Sequence, residues 1–228
     1  QALVARRQGA FKAGGVLGKL REALAKAGIR DIVINTAWLA EQFPATLGNG
    51  ADFGVSIAYS FEGATGLETG GGLLNALPLL GPEPFLLVNG DIHLDVDFST
   101  LALPANDLAH LLMVTPPDGG RGDFSLDARG RLMPEGEGHR LTYSGVGIIH
   151  PALFAGWRAG LRQDEVHGQP PSFRLAPLLR HAMRRGRVGG RHHRGHWTDA
   201  GTPESLRTLS AMLQNDADMA YTALSLPA

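Results

Sequence analysis

At 228 residues the chain can bury a full core, and 43% apolar with 19% charged residues is the balance of a globular protein in water. A net charge of −1 and a pI near 6.8 lack the basic excess of a nucleic-acid or membrane-surface binder, and the lack of cysteine excludes disulfides and thiolate chemistry. No apolar run reaches the ~18–20 residues that span a bilayer and no basic-then-apolar leader opens the chain, so a cytoplasmic protein with no membrane or nucleic-acid partner is expected.

In chain order, Gln1–Ala5 reads as a first strand that Arg6-Arg7-Gln8-Gly9 stops. Leu17, Leu20, Leu24 and Ala27 recur at helical spacing, with Gly28 in the left-handed position beyond the last turn. Asp31–Asn35 is a short buried strand, Trp38–Leu47 a helix that Pro44 breaks or kinks, and Val55–Ser60 the next strand. Glu68-Thr69-Gly70-Gly71-Gly72 is a turn leading into a helix through Leu80. The uninterrupted apolar run Phe85–Val88 then predicts a strand buried on both faces. This β-α-β-α-β rhythm predicts a parallel sheet with crossover helices.

Leu108–Thr115 is a further strand, followed by short strands at Phe124–Leu126 and Arg131–Met133 and a longer one at Leu141–Ile149. Residues 160–172 read as a mobile loop ending in Pro170-Pro171. Arg174–Arg185 is amphipathic, with Leu175, Leu178, Leu179, Ala182 and Met183 on one face and Gly186 as its stop. His196–Asp199 is a short strand and turn, and Thr202-Pro203 caps a helix carrying Leu206, Leu209 and Leu213 inward. One domain is expected over residues 1–228, with 214–228 a tail; no internal repeat is present.

Asp91 and Asp199 are the leading candidates for chemistry. Each stands where a short apolar strand runs out into a glycine turn, Asn89-Gly90-Asp91 and Asp199-Ala200-Gly201-Thr202. In open α/β sheets ligands bind at the carboxyl ends of the strands. Two carboxylates there make a hard oxygen site suited to Mg²⁺, which takes its other ligands from water and substrate phosphates. Taken singly, each Asp is more simply a turn or helix cap. Gly70–Gly72 remove side chains, so a base or phosphate can approach the backbone, but the run matches neither the Lys-containing phosphate loop nor the dinucleotide fingerprint. Arg191-His192-His193-Arg194-Gly195-His196 invites a zinc reading. Gly195 argues against the helix that the four-residue spacing of His192 and His196 would need, and a basic strand entrance is expected instead.

Taken together these residues resemble the sugar-1-phosphate nucleotidyltransferases, with Asp91 in the first metal motif and Trp197-Thr198-Asp199-Ala200-Gly201-Thr202 in the second. Ile32–Asn35, Leu67–Gly72, Phe85–Asp91, Arg121–Phe124, Tyr143–Gly145 and Gly195–Thr202 look, in order, like the small single-domain branch that couples UTP to N-acetylmuramic acid α-1-phosphate in peptidoglycan recycling. The resemblance spans roughly residues 16–213. It implies a Rossmann-like three-layer α/β/α sandwich with a mostly parallel central sheet, acting on a nucleoside triphosphate and a sugar 1-phosphate as a monomer or small homo-oligomer. It also implies that Asp91 and Asp199 hold catalytic Mg²⁺ and that Glu68, Gly70, Gly71, Gly72 and Asn89 lie at the nucleotide. Asp123, Glu137, Ser144 and Gly145 would line the sugar, with Glu135 competing for the role of Glu137.

The family's N-terminal signature, a Gly-rich loop with an Arg followed by Pro-Lys-Pro, is not matched by Arg6–Gly15. A loop missing from the sequence is the expected reason, with Arg6, Arg7 and Lys12 unassigned. Two alternatives stay open: GTP or dTTP with mannose or glucose 1-phosphate as substrates, and a catalytically inactive nucleotide-sugar binding protein.

Overall fold

The computed structural model describes residues 2–6 in their backbone, together with 27–136, 139–199, 201, 204, 205, 207 and 209. The strands are β1 (Ala2–Arg6), β2 (Asp31–Thr36), β3 (Ser56–Phe61), β4 (Phe85–Asn89), β5 (Ile92–Leu94), β6 (Ala109–Val114), β7 (Phe124–Leu126), β8 (Leu132–Met133), β9 (His139–Ile149), β10 (Val188–His192) and β11 (Trp197–Asp199). The described α-helices are α1 (Gln42–Leu47), α2 (Glu68–Leu80) and α3 (Leu175–Met183). The sequence-predicted helix ending at Ala27 and the tail 214–228 fall outside the described residues. Of the helix expected after Pro203, residues 204, 205, 207 and 209 are helical, and Leu209 is fully buried.

The main sheet runs β10-β6-β9-β4-β1-β2-β3. Neighbours are parallel except at β9, which is antiparallel to both β4 and β6 and carries β7 on its outer half. The sheet is therefore mostly parallel, as expected, with one reversed strand inside it. Because β1 lies between β2 and β4, the chain leaves β1 for one side of the sheet and crosses to the other before β4. That reversal opens a crevice at the carboxyl ends of β1 and β4.

Strand alternation separates two cores. Val33, Phe85, Leu87, Leu111 and Met113 face α2 and α3, while Ile32, Ile34, Leu86, Val88, Leu112 and Ile148 face the side of Phe98, Leu101 and the α1 residues Phe43 and Leu47. At about 1.5–3 kcal/mol for each fully buried large aliphatic or aromatic side chain, β4 alone anchors the sheet from both sides. No helix among the described residues is long and apolar enough to cross a membrane.

Two predicted boundaries move. α1 begins at Gln42, not Trp38, because Leu39 adopts φ +54°, a left-handed conformation that cannot propagate a helix. Pro44 then falls in the first turn, where its missing N–H costs no hydrogen bond, so it neither kinks nor breaks α1. α2 starts at Glu68, so Gly70–Gly72 are its first turns and not a loop ahead of it. Residues 160–172 begin at the end of one 3₁₀ turn, Trp157–Gly160, contain another, Gln163–Glu165, and close on α2 through Pro171.

Candidate functional site

β4 delivers Asn89 to the carboxyl edge, and the following turn places Asp91 immediately before β5. Among the described residues β5 and β11 pair only with each other, antiparallel, with Ile92 opposite Asp199 and Leu94 opposite Trp197. This ribbon brings together two carboxylates that are far apart in sequence. Asp199 Oδ1 accepts the Gly201 N–H at 2.7 Å. A methyl group placed on Gly201 would lie 2.9 Å from Asp199 Oδ1 and 3.7 Å from Asp91 Oδ2, so both carboxylates front the same point.

The residues expected at the sugar adjoin this pair. Gly145 sits in a bulge of β9, at φ +84°, where residues 144–146 face Leu112 alone across the β6 pairing. Its backbone packs on Asn89: an added Cβ would stand 2.9 Å from Asn89 Nδ2. Ser144 is buried, its carbonyl accepts the Trp197 indole N–H at 3.0 Å, and its hydroxyl accepts the Val146 N–H at 3.2 Å. Asp123 accepts the Tyr143 N–H at 2.9 Å, which fixes the β7 entrance against β9. Asn89, Gly145, Ser144, Trp197 and Asp199 thus form one chain of contacts, with Asp91 on its near side and Asp123 on its far side. Glu137 lies outside the described residues, and Glu135 is exposed.

The glycine turn is different. Gly70 and Gly71 both donate their N–H to the Phe173 carbonyl, at 2.9 and 3.1 Å. The space vacated by their side chains is filled by Phe173 and by the Pro171 carbonyl, and that of Gly72 by Glu62 and Asn35. The absence of side chains here admits residues 171–173, Glu62 and Asn35. Glu68, at φ +59°, is exposed and lines a cavity of about 320 Å³ with Glu165, His167, Ser172, Phe173, Arg174 and Pro177.

Asn35 and Glu62 escaped the sequence reading. Both are buried: Asn35 Nδ2 donates to Glu62 Oε1 at 2.8 Å, and Glu62 Oε2 accepts the Leu67 N–H at 2.7 Å. Asn35 Oδ1 is buried without a hydrogen-bond partner among the described residues. Arg6 of β1 stands in register with both Asn35 and Asn89, so these two strand ends flank it roughly 10 Å apart. A polar residue closing each parallel strand (Asn35, Glu62 just past β3, Asn89) was the available signal. Burial pushes the Tyr143 hydroxyl well above the ordinary tyrosine range.

The histidine segment is not a metal cluster. His192 shares a hydrogen bond with Thr115, His193 with Asp95, and His196 with Thr198, and no group of three or more metal-binding side chains occurs among the described residues. Two carboxylates, with no third metal-binding side chain grouped with them among the described residues, still fit Mg²⁺, which is commonly held by one or two carboxylates plus substrate phosphates. They do not fit a closed structural metal site.

No protein-family model matches the chain. Over 196 residues it is 46% identical to the N-acetylmuramate alpha-1-phosphate uridylyltransferase of Neisseria meningitidis serogroup B, covering 83% of this chain and 80% of that protein. The chain belongs to the sugar-1-phosphate nucleotidyltransferase family. A second family member, the N-acetylmuramate alpha-1-phosphate uridylyltransferase of Caulobacter vibrioides, is 28% identical over 214 residues, covering 87% of this chain and 84% of that one. The family fold extends to a Bacillus anthracis crystal structure named for a glucose-1-phosphate thymidylyltransferase in complex with a sucrose. Its TM-score is 0.73 at 17% identity, over 93% of this chain and 94% of that one.

Proposed function

We propose that this protein is a Mg²⁺-dependent uridylyltransferase that joins UTP to N-acetylmuramic acid α-1-phosphate, releasing pyrophosphate and a UDP-sugar for peptidoglycan recycling. The observation that carries this reading is the Asp91–Asp199 pair, set across one ribbon and fronting a single point beside the sugar-side bulge. The substrate assignment draws on the Neisseria relative. A UTP-consuming enzyme of this kind works in the cytoplasm.

The reaction is in-line displacement: a phosphate oxygen of the sugar 1-phosphate attacks the α-phosphorus of UTP as the bond to pyrophosphate breaks. Asp91 and Asp199 would hold Mg²⁺, which when bound supplies charge neutralisation at the phosphate oxygens. The chain's own contribution is positioning. The crevice between β1 and β4 receives the triphosphate beside Asn89. The Gly145 bulge and the Ser144 backbone, held by Trp197, form the wall on which the sugar phosphate is oriented. Asp123 stands at the outer end of that wall for sugar hydroxyls. The Glu68–Gly72 turn serves as a rigid side wall, since the Gly70 and Gly71 N–H groups are already bonded to Phe173.

A panel of UTP, GTP and dTTP against N-acetylmuramic acid, glucose and mannose 1-phosphates, assayed for pyrophosphate release, tests the assignment. Turnover is expected with UTP and N-acetylmuramic acid α-1-phosphate and to require Mg²⁺. Turnover confined to GTP with mannose 1-phosphate would overturn the substrate choice. Product binding with no pyrophosphate release from any pair would make the protein a binder.

A further inference from the structure

Among the described residues the ribbon that carries Asp91 and Asp199 makes no strand pairing with the main sheet, and the Trp197 indole N–H, bonded to the Ser144 carbonyl of β9, is one tie between them. An isolated two-stranded ribbon of three residues per strand is marginal by itself, and a slip of one residue would turn Asp199 to the opposite face. A second side chain joins its two strands where the chain leaves β5 and enters β11. His193 Nε2 donates to Asp95 Oδ1 at 2.7 Å, just beyond β5, and lies 3.3 Å from the His196 carbonyl, just before β11. The Asp95 N–H also reaches the His196 carbonyl, at 3.3 Å. His193 itself hangs from the main sheet, its N–H donating to the Met113 carbonyl of β6 at 2.7 Å. Its side chain is only 12% exposed. Gly195 leaves the approach open: a Cβ there would collide with both Asp95 oxygens and stand 2.8 Å from the His193 ring.

We infer that the His193–Asp95 pair is a positioning clasp that holds the β5–β11 ribbon in the register that sets Asp91 against Asp199. The inference rests on the reading of those two carboxylates as the metal pair. Neither His193 nor Asp95 touches substrate in this arrangement; they act through the ribbon. Desolvation alone would raise the Asp95 carboxyl, but hydrogen bonds from the His196 backbone and the His193 ring bring it below the usual carboxylate range, consistent with a carboxylate committed to this contact.

The test uses the full chain with Mn²⁺ as the probe. Mn²⁺ binding without substrate is read from the electron paramagnetic resonance of the free ion, and initial rates are measured against Mg²⁺ concentration. His193→Ala should weaken Mn²⁺ binding about tenfold or more, the scale on which outer ligand-orienting contacts act. It should raise the half-saturating Mg²⁺ concentration by a similar factor, with the KM for sugar phosphate near wild type at saturating metal. Asp95→Ala should do the same and the double variant no worse, as for one shared contact. His193→Gln, whose amide N–H can still reach Asp95, should recover most of the loss. Asp95 is 56% exposed, so its variant keeps the measurement available if His193→Ala does not fold. Unchanged Mn²⁺ affinity in the clasp variants, beside its loss in Asp91→Asn, overturns the clasp alone. Wild-type Mn²⁺ affinity in Asp91→Asn overturns the metal-pair reading beneath it.

Discussion

Two glycine-bearing turns lie on the same edge of this sheet and are built to opposite ends. After β4, the turn from Asn89 to Asp91 stays half-buried and open on one side, its neighbours being the Gly145 bulge and the Asp199 strand end. After β3, the turn that becomes α2 is closed over: Gly70–Gly72 are buried under residues 171–173 and against the Asn35–Glu62 pair. Both turns remove side chains at the carboxyl edge, where ligands bind in such folds. What separates a site from a joint is the occupant of the vacated space. At Gly201, which meets the first turn, it is a pair of carboxylates facing a common point; at Gly70–Gly72 it is Phe173, the Pro171 carbonyl, Glu62 and Asn35.

The sharpest way to break this comparison is at the open turn. Asp91→Asn or Asp199→Asn should lower turnover by about 10²- to 10³-fold, since a single displaced electrostatic contact in a preorganised site acts on that scale. The melting temperature should hardly move. Wild-type pyrophosphate release from either variant would remove that residue from the site. Gly145→Ala comes next: the φ of +84° and the 2.9 Å approach to Asn89 leave no room for Cβ. A displaced Asn89 should cost about 10- to 100-fold in kcat/KM, measured with the same assay.

The closed turn should respond in the other currency. Gly71→Ala forces Cβ against the Pro171 carbonyl and should destabilise the fold by about 1–3 kcal/mol in urea unfolding, with activity per folded molecule retained. A variant of normal stability and lost activity would instead make Gly71 a substrate contact.

The smallest effect is expected at the opposite edge. His110, near the amino end of β6, is held below the ordinary histidine range by burial, with Asp107 opposing and Arg191 and Arg131 adding to the shift. It therefore takes up its proton at lower pH in the fold than in the unfolded chain, which does so below about pH 6.5. Stability should fall as pH drops through that value, and His110→Gln should flatten the dependence without changing the Mg²⁺ requirement. An equally steep pH profile in His110→Gln would place the titration elsewhere.

The parts of this molecule legible in its sequence are those whose cause is local. Phe85–Val88 is apolar on every residue because both faces are buried, and that pattern survives reading without neighbours. The amphipathic stripe of α3 and the left-handed Gly186 that ends it are equally self-contained. Gly70–Gly72 were not, since a glycine run looks the same whether a phosphate or a distant segment fills the gap, and residues 171–173 come far later in the chain. The start of α1 depended on one residue, Leu39, whose positive φ no propensity predicts. The family resemblance placed Asp199 beside Asp91, but only the β5–β11 register shows by what means, and the Asn35–Glu62 pair became visible only once β2 and β3 were aligned.

The reversed strand β9 has a consequence for how substrate preference can change. A parallel strand offers the binding edge only its last residue and the loop that follows. β9 instead passes through that edge: residues 146–149 pair with β4 inside the sheet, and residues 139–141 continue outward to carry β7. Its 11 residues span roughly 36 Å, and the core follows it most of the way, since Leu141 and the β7 residue Phe124 are buried with the strands it joins. Of its residues only His139 and Arg140, at the outer end, are exposed. Change along this rim is therefore confined to two positions whose side chains lie outside both cores.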